Sequence, residues 1–373
     1  MTAIFALSSF MSRSYPILNI DLAALASNYR LLQLRAPAAR VGAVVKANAY
    51  GLGAEVVAQC LFRLGCRDFF VSSTEEGVSL RPLLPEARLF VLQGVEPGDE
   101  ALCRAFSLIP VLISSAMAQR YLRQTPLAPF ALKVNTGMNR LGIEPQEFLE
   151  LLPRLPHQYC RLLMSHLACA DEPDQALNAL QLQRFQCLAE AAKAAAPQIE
   201  MSLANSAGVF LGEAYHWDIL RPGAALYGLN PGNLAPNVLA PVVQLLLQVI
   251  QTRLLPVGAS VGYGASFTAE REMPVAVVSG GYADGLMRAL GRQGCAWFNG
   301  VLLPLVGRVS MDSLVFDLSS LPPGARPQEG DRLEFFGPNL AVDDQAGRAC
   351  TIGYELFTRL GERCQRQYVS QNL

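Results

Sequence analysis

Three histidines in 373 residues, and nine cysteines without a single C-x-x-C spacing, leave the chain poorly supplied with metal ligands. A zinc knuckle is excluded, and no metal is expected. The odd cysteine count also argues against a disulfide framework, so reduced, mostly buried thiols in a cytoplasmic protein are expected. Neither sign of charge is in excess: 30 Lys and Arg stand against 31 Asp and Glu, a net charge of −1, and no basic run concentrates a local field. Affinity for nucleic acid or anionic lipid is therefore not built in. The longest apolar runs, such as Ala240–Ile250, are too short to span a bilayer and contain glutamines. Met1–Met11 is mildly apolar, but the first positive charge, Arg13, follows the apolar stretch, the reverse of the order in a secretory signal. Residues 1–14 read as a disordered leader or an over-long start, with a weak export signal as the alternative.

What is abundant is apolar material. Hydrophobic residues make up 51% and charged ones 16%, enough for large packed cores and too much for a disordered chain. At roughly 150 residues per domain the length allows about two. Eight short apolar runs occupy the first part: Gly42–Lys46, Phe69–Ser73, Leu89–Gln93, Ile109–Ser114, Phe130–Asn135, Leu162–His166, Ile199–Ala204 and Ile219–Ala224. Helical stretches separate them; in Ala54–Gly65, Val56, Val57, Cys60, Leu61 and Leu64 share one face. Runs that are apolar throughout suit strands buried on both faces, and eight strand–helix units predict a (β/α)8 TIM-type barrel over residues 15–238. Beyond it, strand-like runs punctuated by Gly and Pro predict a mostly β C-terminal domain over 239–373.

In such a barrel the strand C-termini form the active face. The polar residues at those ends are Lys46, Lys133, Asn135, Arg140, His166, Asn205, Ser206 and Arg221–Gly223. Lys46 follows four residues of a strand expected to be buried. It either snorkels from the strand end or, desolvated with a depressed pKa, forms a Schiff base with an aldehyde. A hydroxyl and a glycine after the last two strands mark the usual phosphate position of this architecture. One aldehyde and one phosphate together point to pyridoxal 5′-phosphate.

The local words Ala43-Val44-Val45-Lys46-Ala47-Asn48-Ala49-Tyr50-Gly51-Leu52-Gly53, Lys133-Val134-Asn135-Thr136-Gly137-Met138-Asn139-Arg140-Leu141-Gly142, Ser165-His166-Leu167, Ala204-Asn205-Ser206, Arg221-Pro222-Gly223, Gly262-Tyr263-Gly264, Gly280-Gly281-Tyr282-Ala283-Asp284-Gly285, Gly307-Arg308-Val309-Ser310-Met311-Asp312 and Thr351-Ile352-Gly353-Tyr354-Glu355 follow one another along the chain. In this order they resemble the motifs of alanine racemases. The resemblance runs from about Asn19 to the end and implies a pyridoxal-phosphate barrel followed by a β domain, in a head-to-tail homodimer with shared sites. It implies that the enzyme interconverts L- and D-alanine, for peptidoglycan or for alanine catabolism.

By the same resemblance Lys46 holds the cofactor covalently. Tyr50, Asn205, Ser206, the Gly223–Ala224 backbone and Tyr354 are cofactor ligands, mostly at the phosphate. Arg221 faces the ring nitrogen, with His166 stacked nearby and bonded to it. Arg140 and the Met311 backbone receive the substrate carboxylate, and Asp171, Tyr282, Arg288 and Arg308 line the approach corridor. Lys46 and the partner's Tyr263 are the two catalytic bases, with the cationic neighbourhood of His166 and Arg221 favouring the phenolate; the alternative is that Tyr263 merely narrows the entrance. Two cations held about 4 Å apart would repel by about 4 kcal/mol at an effective dielectric near 20. Lys133, implied to lie beside Arg140, is therefore read as carbamylated, with pairing to a carboxylate as the alternative. Two features depart from the family: residues before Tyr15 have no counterpart, and Ser310 stands where some members carry Cys. Related decarboxylases of the same fold fit less well, because their lysine motif and Cys-Asp pair are absent. A non-catalytic pyridoxal-phosphate carrier would lack the second domain. His166 favours alanine over broad substrate specificity, with serine as a possible competitor.

Overall fold

All eight runs form parallel strands. The computed structural model describes residues 15–369 apart from 233, 235 and 292; the expectations for residues 1–14 lie outside them. The chain divides into two compact units, Ala24–Ala240 and a second made of the residues up to Ala23 with those from Pro241 onward.

In the first unit, barrel strand one is split into Arg40–Val41 and Ala43–Val44. Strands two to eight are Asp68–Val71, Arg88–Val91, Leu108–Leu112, Phe130–Lys133, Cys160–Met164, Glu200–Ser202 and Ile219–Leu220. Strands one to seven pair in order, and Ile219 and Leu220 pair in parallel with Arg40 and Val41, so the sheet closes on itself. The split at Gly42 follows from its crowding: a Cβ there would lie 2.8 Å from the Phe70 ring and 2.9 Å from the Asp68 carbonyl. Strands two and four are buried at every position, as their unbroken apolar runs require. Phe69, Phe70, Phe90 and Phe130 fill the interior at 0% exposure.

At the strand N-terminal end four charges form a ring. Arg40 bonds Asp68 (3.2 Å) and Glu200 (2.5 Å), and Arg88 bonds the same two carboxylates at 2.5 Å each. Asp68 is 2% exposed, and removing its charge leaves Glu200 as the single carboxylate facing two arginines at the barrel floor. Asp68→Asn should lower the unfolding free energy by about 3 kcal/mol in denaturant melts. Turnover per folded molecule should not change, because the ring lies at the end opposite the strand C-termini.

The second unit is built on the long strand Val243–Leu255, which pairs with Ile17–Asp21, Met273–Ser279 and Arg332–Phe336. Ser313–Asp317 and the hairpin Cys295–Phe298/Val301–Pro304 extend the sheet, and Gln365–Val369 runs parallel to Ile17–Asp21. Residues 15–23, expected in the barrel, thus belong to the β-rich unit. The reason is visible in the strand: Leu18 and Ile20 are 0% exposed while Ile17, Asn19 and Asp21 are half-buried, the alternation of a strand with one covered face. Among the described residues no helix is long and apolar enough to cross a membrane, and no group of His, Cys, Asp and Glu could hold a metal ion.

Candidate active site at the barrel mouth

Lys46 sits two residues beyond the strand end at Val44, at the start of a turn with an unusual handedness. Ala47, Asn48, Ala49 and Tyr50 all have φ between +51° and +58°, a left-handed helical turn built without glycine. Each such residue costs about 1–2 kcal/mol, so the segment stores several kcal/mol that its surroundings must offset. The turn aims Tyr50 inward, where its ring packs against Tyr227 at 5.0 Å, and Tyr227 in turn donates to the Val44 carbonyl at 2.9 Å. Gly223 lies beneath the Tyr50 hydroxyl so closely that a Cβ would approach it to 2.3 Å.

Ser206 Oγ, after strand seven, accepts from Gly223 N (2.9 Å) and Ala225 N (3.2 Å), folding the last two strand-end loops together. Asn205 points its side-chain oxygen at Gly208 N, 2.9 Å, and so caps the turn Gly208–Phe210. Four residues expected at one phosphate site, Tyr50, Ser206, Gly223 and Ala224, are thereby brought together.

Arg221 is 3% exposed and makes no ion pair among the described residues. It donates to Ser202 Oγ, to the carbonyls of Ser165 and Leu203, and at 3.5 Å to His166 Nδ1. Burial pulls its pKa down to about 9, still well above neutral. Since Arg221 can only donate, His166 Nδ1 must accept and the imidazole proton sits on Nε2. Burial, and then the charges of Arg221, Lys133, Arg140 and Lys46, hold His166 well below its usual pKa. The imidazole is therefore neutral, a correction to the expectation that it adds to a cationic neighbourhood.

Lys133 ends strand five, 8% exposed. Burial, followed by Arg221, Arg140 and Lys46, lowers it to about 8. The carboxylate partner that the alternative reading requires is not found: Lys133 forms no ion pair among the described residues. Lys46 is likewise lowered, chiefly by burial and then by Arg140, with Glu76 acting in the opposite sense. The loop carrying Arg140 is ordered by Asn135, which accepts from Gly137 N and Asn139 N and donates to Asn139 and Glu144. Gln181, 0% exposed, ties this loop to strand six by donating to Thr136 Oγ1 (3.1 Å) and the His166 carbonyl (2.9 Å). Gln181, Tyr227, Ser202 and Glu76 escaped sequence reading. Of these, Glu76 alone carried a local signal, its spacing from Ser73, and that signal pointed to a helix cap.

In the β-rich unit, Tyr263, Tyr282, Arg288, Arg308 and Val309 line an open cleft of about 370 Å³, which groups four expected residues. Tyr263 is 72% exposed. Met311 is held by the 281–285 loop: Tyr282 N and Ala283 N donate to the carbonyls of Ser310 and Met311, both at 3.0 Å. Buried Asp284 caps Gly281 N and accepts two 2.8 Å bonds from Arg363, which also pairs with Asp312. Tyr354 lies on the helix Gly353–Thr358 of the same unit, and Asp171 lies in the barrel unit.

The chain matches the family described as alanine racemase, N-terminal domain, over residues 20–231 and alanine racemase, C-terminal domain, over 242–368. A catabolic alanine racemase of Agrobacterium fabrum is 47% identical, over 95% of this chain and 92% of its own length. An alanine racemase of Rhizobium meliloti is 43% identical, over 94% and 96%. Among solved structures, alanine racemase from Bartonella henselae with covalently bound pyridoxal phosphate superposes with a TM-score of 0.89 at 36% identity, covering 95% of this chain and 99% of that one. The biosynthetic alanine racemase of Pseudomonas aeruginosa gives 0.88 at 38% identity, with the same coverage.

Proposed function

The chain belongs to the alanine racemase family and is a racemase, and from that premise we propose that it interconverts L- and D-alanine with pyridoxal 5′-phosphate on Lys46, using Lys46 and Tyr263 of the partner subunit as its two bases. One observation carries this reading: a fully buried arginine, with Lys46, Lys133 and Arg140 close enough to hold a histidine neutral, and with no carboxylate paired to Arg221 or Lys133 among the described residues. Buried cations are ordinarily paired. A cluster lacking partners suits anionic ligands, here a phosphate and a substrate carboxylate.

The residues present fit the cofactor. Lys46 would hold it; Tyr50, Asn205, Ser206, Gly223, Ala224 and Tyr354 would surround its phosphate end; Arg221 and His166 would hold its ring. Bound there, it supplies an electron sink for the α C–H bond, kept weak because Arg221 offers the ring nitrogen a hydrogen bond and no proton. Arg140 and the Met311 backbone would orient the substrate carboxylate. The lowered pKa of Lys46 raises the share of neutral amine, the form that accepts a proton. A homodimer is supported by Tyr263, Tyr282, Met311 and Ile352, apolar or aromatic side chains left exposed on the β-rich unit. Nine free cysteines accord with a reducing, cytoplasmic setting.

The test runs L-alanine, L-serine and L-lysine in parallel with the purified protein and follows loss of chirality. Racemisation of alanine is expected, and its absence would overturn the reading. Borohydride should fix the cofactor to Lys46; a label on Lys133 instead would reverse the assignment of the two lysines.

Lys133 is proposed to be carbamylated. Its nitrogen lone pair bonds the carbon of CO2 and one proton leaves to solvent, giving an anion between Arg140 and Arg221. Only the neutral amine reacts, and with a pKa of about 8 roughly half is neutral at pH 8. With labelled bicarbonate, a carbamate carbon signal should be seen near pH 8 and weaken as the pH falls. No signal at any pH, or a signal that survives Lys133→Ala, would remove the modification.

A further inference from the structure

We propose that Glu76 is the positioning residue for Lys46: its carboxylate pins the left-handed turn that starts directly after the lysine and so fixes where the lysine amine stands. The inference deepens the two-base reading and rests on it. Ser73-Thr74-Glu75-Glu76 has capping-box spacing, in which the glutamate would return to the N-cap N–H. Ser73 does its part, accepting from Glu76 N at 3.5 Å. The glutamate side chain goes elsewhere. One carboxylate oxygen accepts from Ser72 N and the other from Ala47 N, both at 2.7 Å.

A single side chain therefore joins the end of barrel strand two to the first residue after Lys46. Both are short bonds to a charged acceptor, the strong kind. The turn needs such a tie. Its far end rests through Tyr50 on Tyr227, while the bonds of Ala49 N to the Val45 carbonyl, Gly51 N to the Ala47 carbonyl, Gly53 N to the Asn48 carbonyl and Ala54 N to Asn48 Oδ1 are local and move with it. Four consecutive non-glycine residues at positive φ revert to ordinary backbone unless something outside holds them. If Ala47 turns over, the lysine before it swings. Glu76 also places a negative charge near an amine otherwise faced by Arg140.

Glu76→Gln keeps the length but turns an NH2 toward one of the two N–H donors, so one anchor is lost. The experiment reads three things, the first on the full-length apoprotein and the other two on the cofactor-loaded protein. The first is the rate at which apoprotein attaches pyridoxal phosphate to Lys46, followed by absorbance. The others are α-proton exchange with deuterium from D-alanine and from L-alanine, measured separately. Attachment should slow by about fivefold or more and D-alanine exchange should fall by about tenfold or more, while L-alanine exchange changes by no more than about twofold, because misplacing one group penalises the step that group performs. Adding Ala47→Gly, which tolerates positive φ, should restore most of both losses. Unchanged attachment, equal losses for the two enantiomers, or no rescue by Ala47→Gly would overturn the proposal. Should Glu76→Gln fail to fold, Glu76→Asp, too short to span both donors, carries the same comparison. Tyr263→Phe is run alongside: if it keeps L-alanine exchange, the two-base reading fails by itself, and attachment and rescue still decide the role of Glu76.

Discussion

Tyr263→Phe should keep its cofactor and still exchange the α-proton of D-alanine with solvent deuterium, while L-alanine exchange and racemisation fall by about 10²–10⁴. Inversion at a planar α-carbon requires a proton acceptor or donor on each face, and one side chain cannot serve both. In the proposed mechanism Lys46 serves one face and would take the proton from D-alanine. Tyr263 is the residue proposed for the other: it is 72% exposed on the rim of a cleft it shares with Arg288 and Arg308, and it is not a packed core residue. The rival reading, that the ring only narrows the entrance, predicts a different outcome, because phenylalanine preserves the ring and removes only the hydroxyl. Normal racemisation by Tyr263→Phe would establish that reading. With His166 neutral, favouring the phenolate falls to the permanent cation Arg221, so the pH dependence of L-alanine exchange should not follow an imidazole.

Much of this architecture was legible in the sequence because the barrel strands are buried on both faces and read as unbroken apolar runs. Phe69–Val71 and Leu108–Leu112 needed no tertiary knowledge to identify. Ile17–Asp21 was misassigned for the complementary reason: a five-residue alternating strand has the period of a one-sided sheet, and only its partners, Val243–Leu255 and Gln365–Val369, show which sheet it joins. Lys46 was singled out from its place at a strand end, yet the left-handed turn behind it was invisible, since alanine, asparagine and tyrosine carry no preference for positive φ strong enough to announce it. Glu76 was hidden differently. Its spacing from Ser73 announces a helix cap, and only the fold diverts the carboxylate to Ala47. The neutrality of His166 was misjudged because sequence shows how many cations share the barrel mouth but not how little water reaches them.

Mixing Lys46→Ala chains with Tyr263→Phe chains should restore activity that neither has alone. In a dimer with shared sites, each active centre takes its lysine from one subunit and its tyrosine from the other. A mixed dimer then holds one centre with neither base and one with both. If chains redistribute at random from equal amounts, half the dimers are mixed and half of their centres are complete, so recovery should approach about a quarter of the unmutated activity. A site made within one subunit gives no recovery at any mixing ratio, since every centre would lack one base. The experiment therefore separates the origin of Tyr263 from its role. Recovery with the stated stoichiometry requires both the shared centre and the two bases, whereas dead mixtures alongside a Tyr263→Phe enzyme that has lost only L-alanine exchange would keep the bases and place them in the same chain.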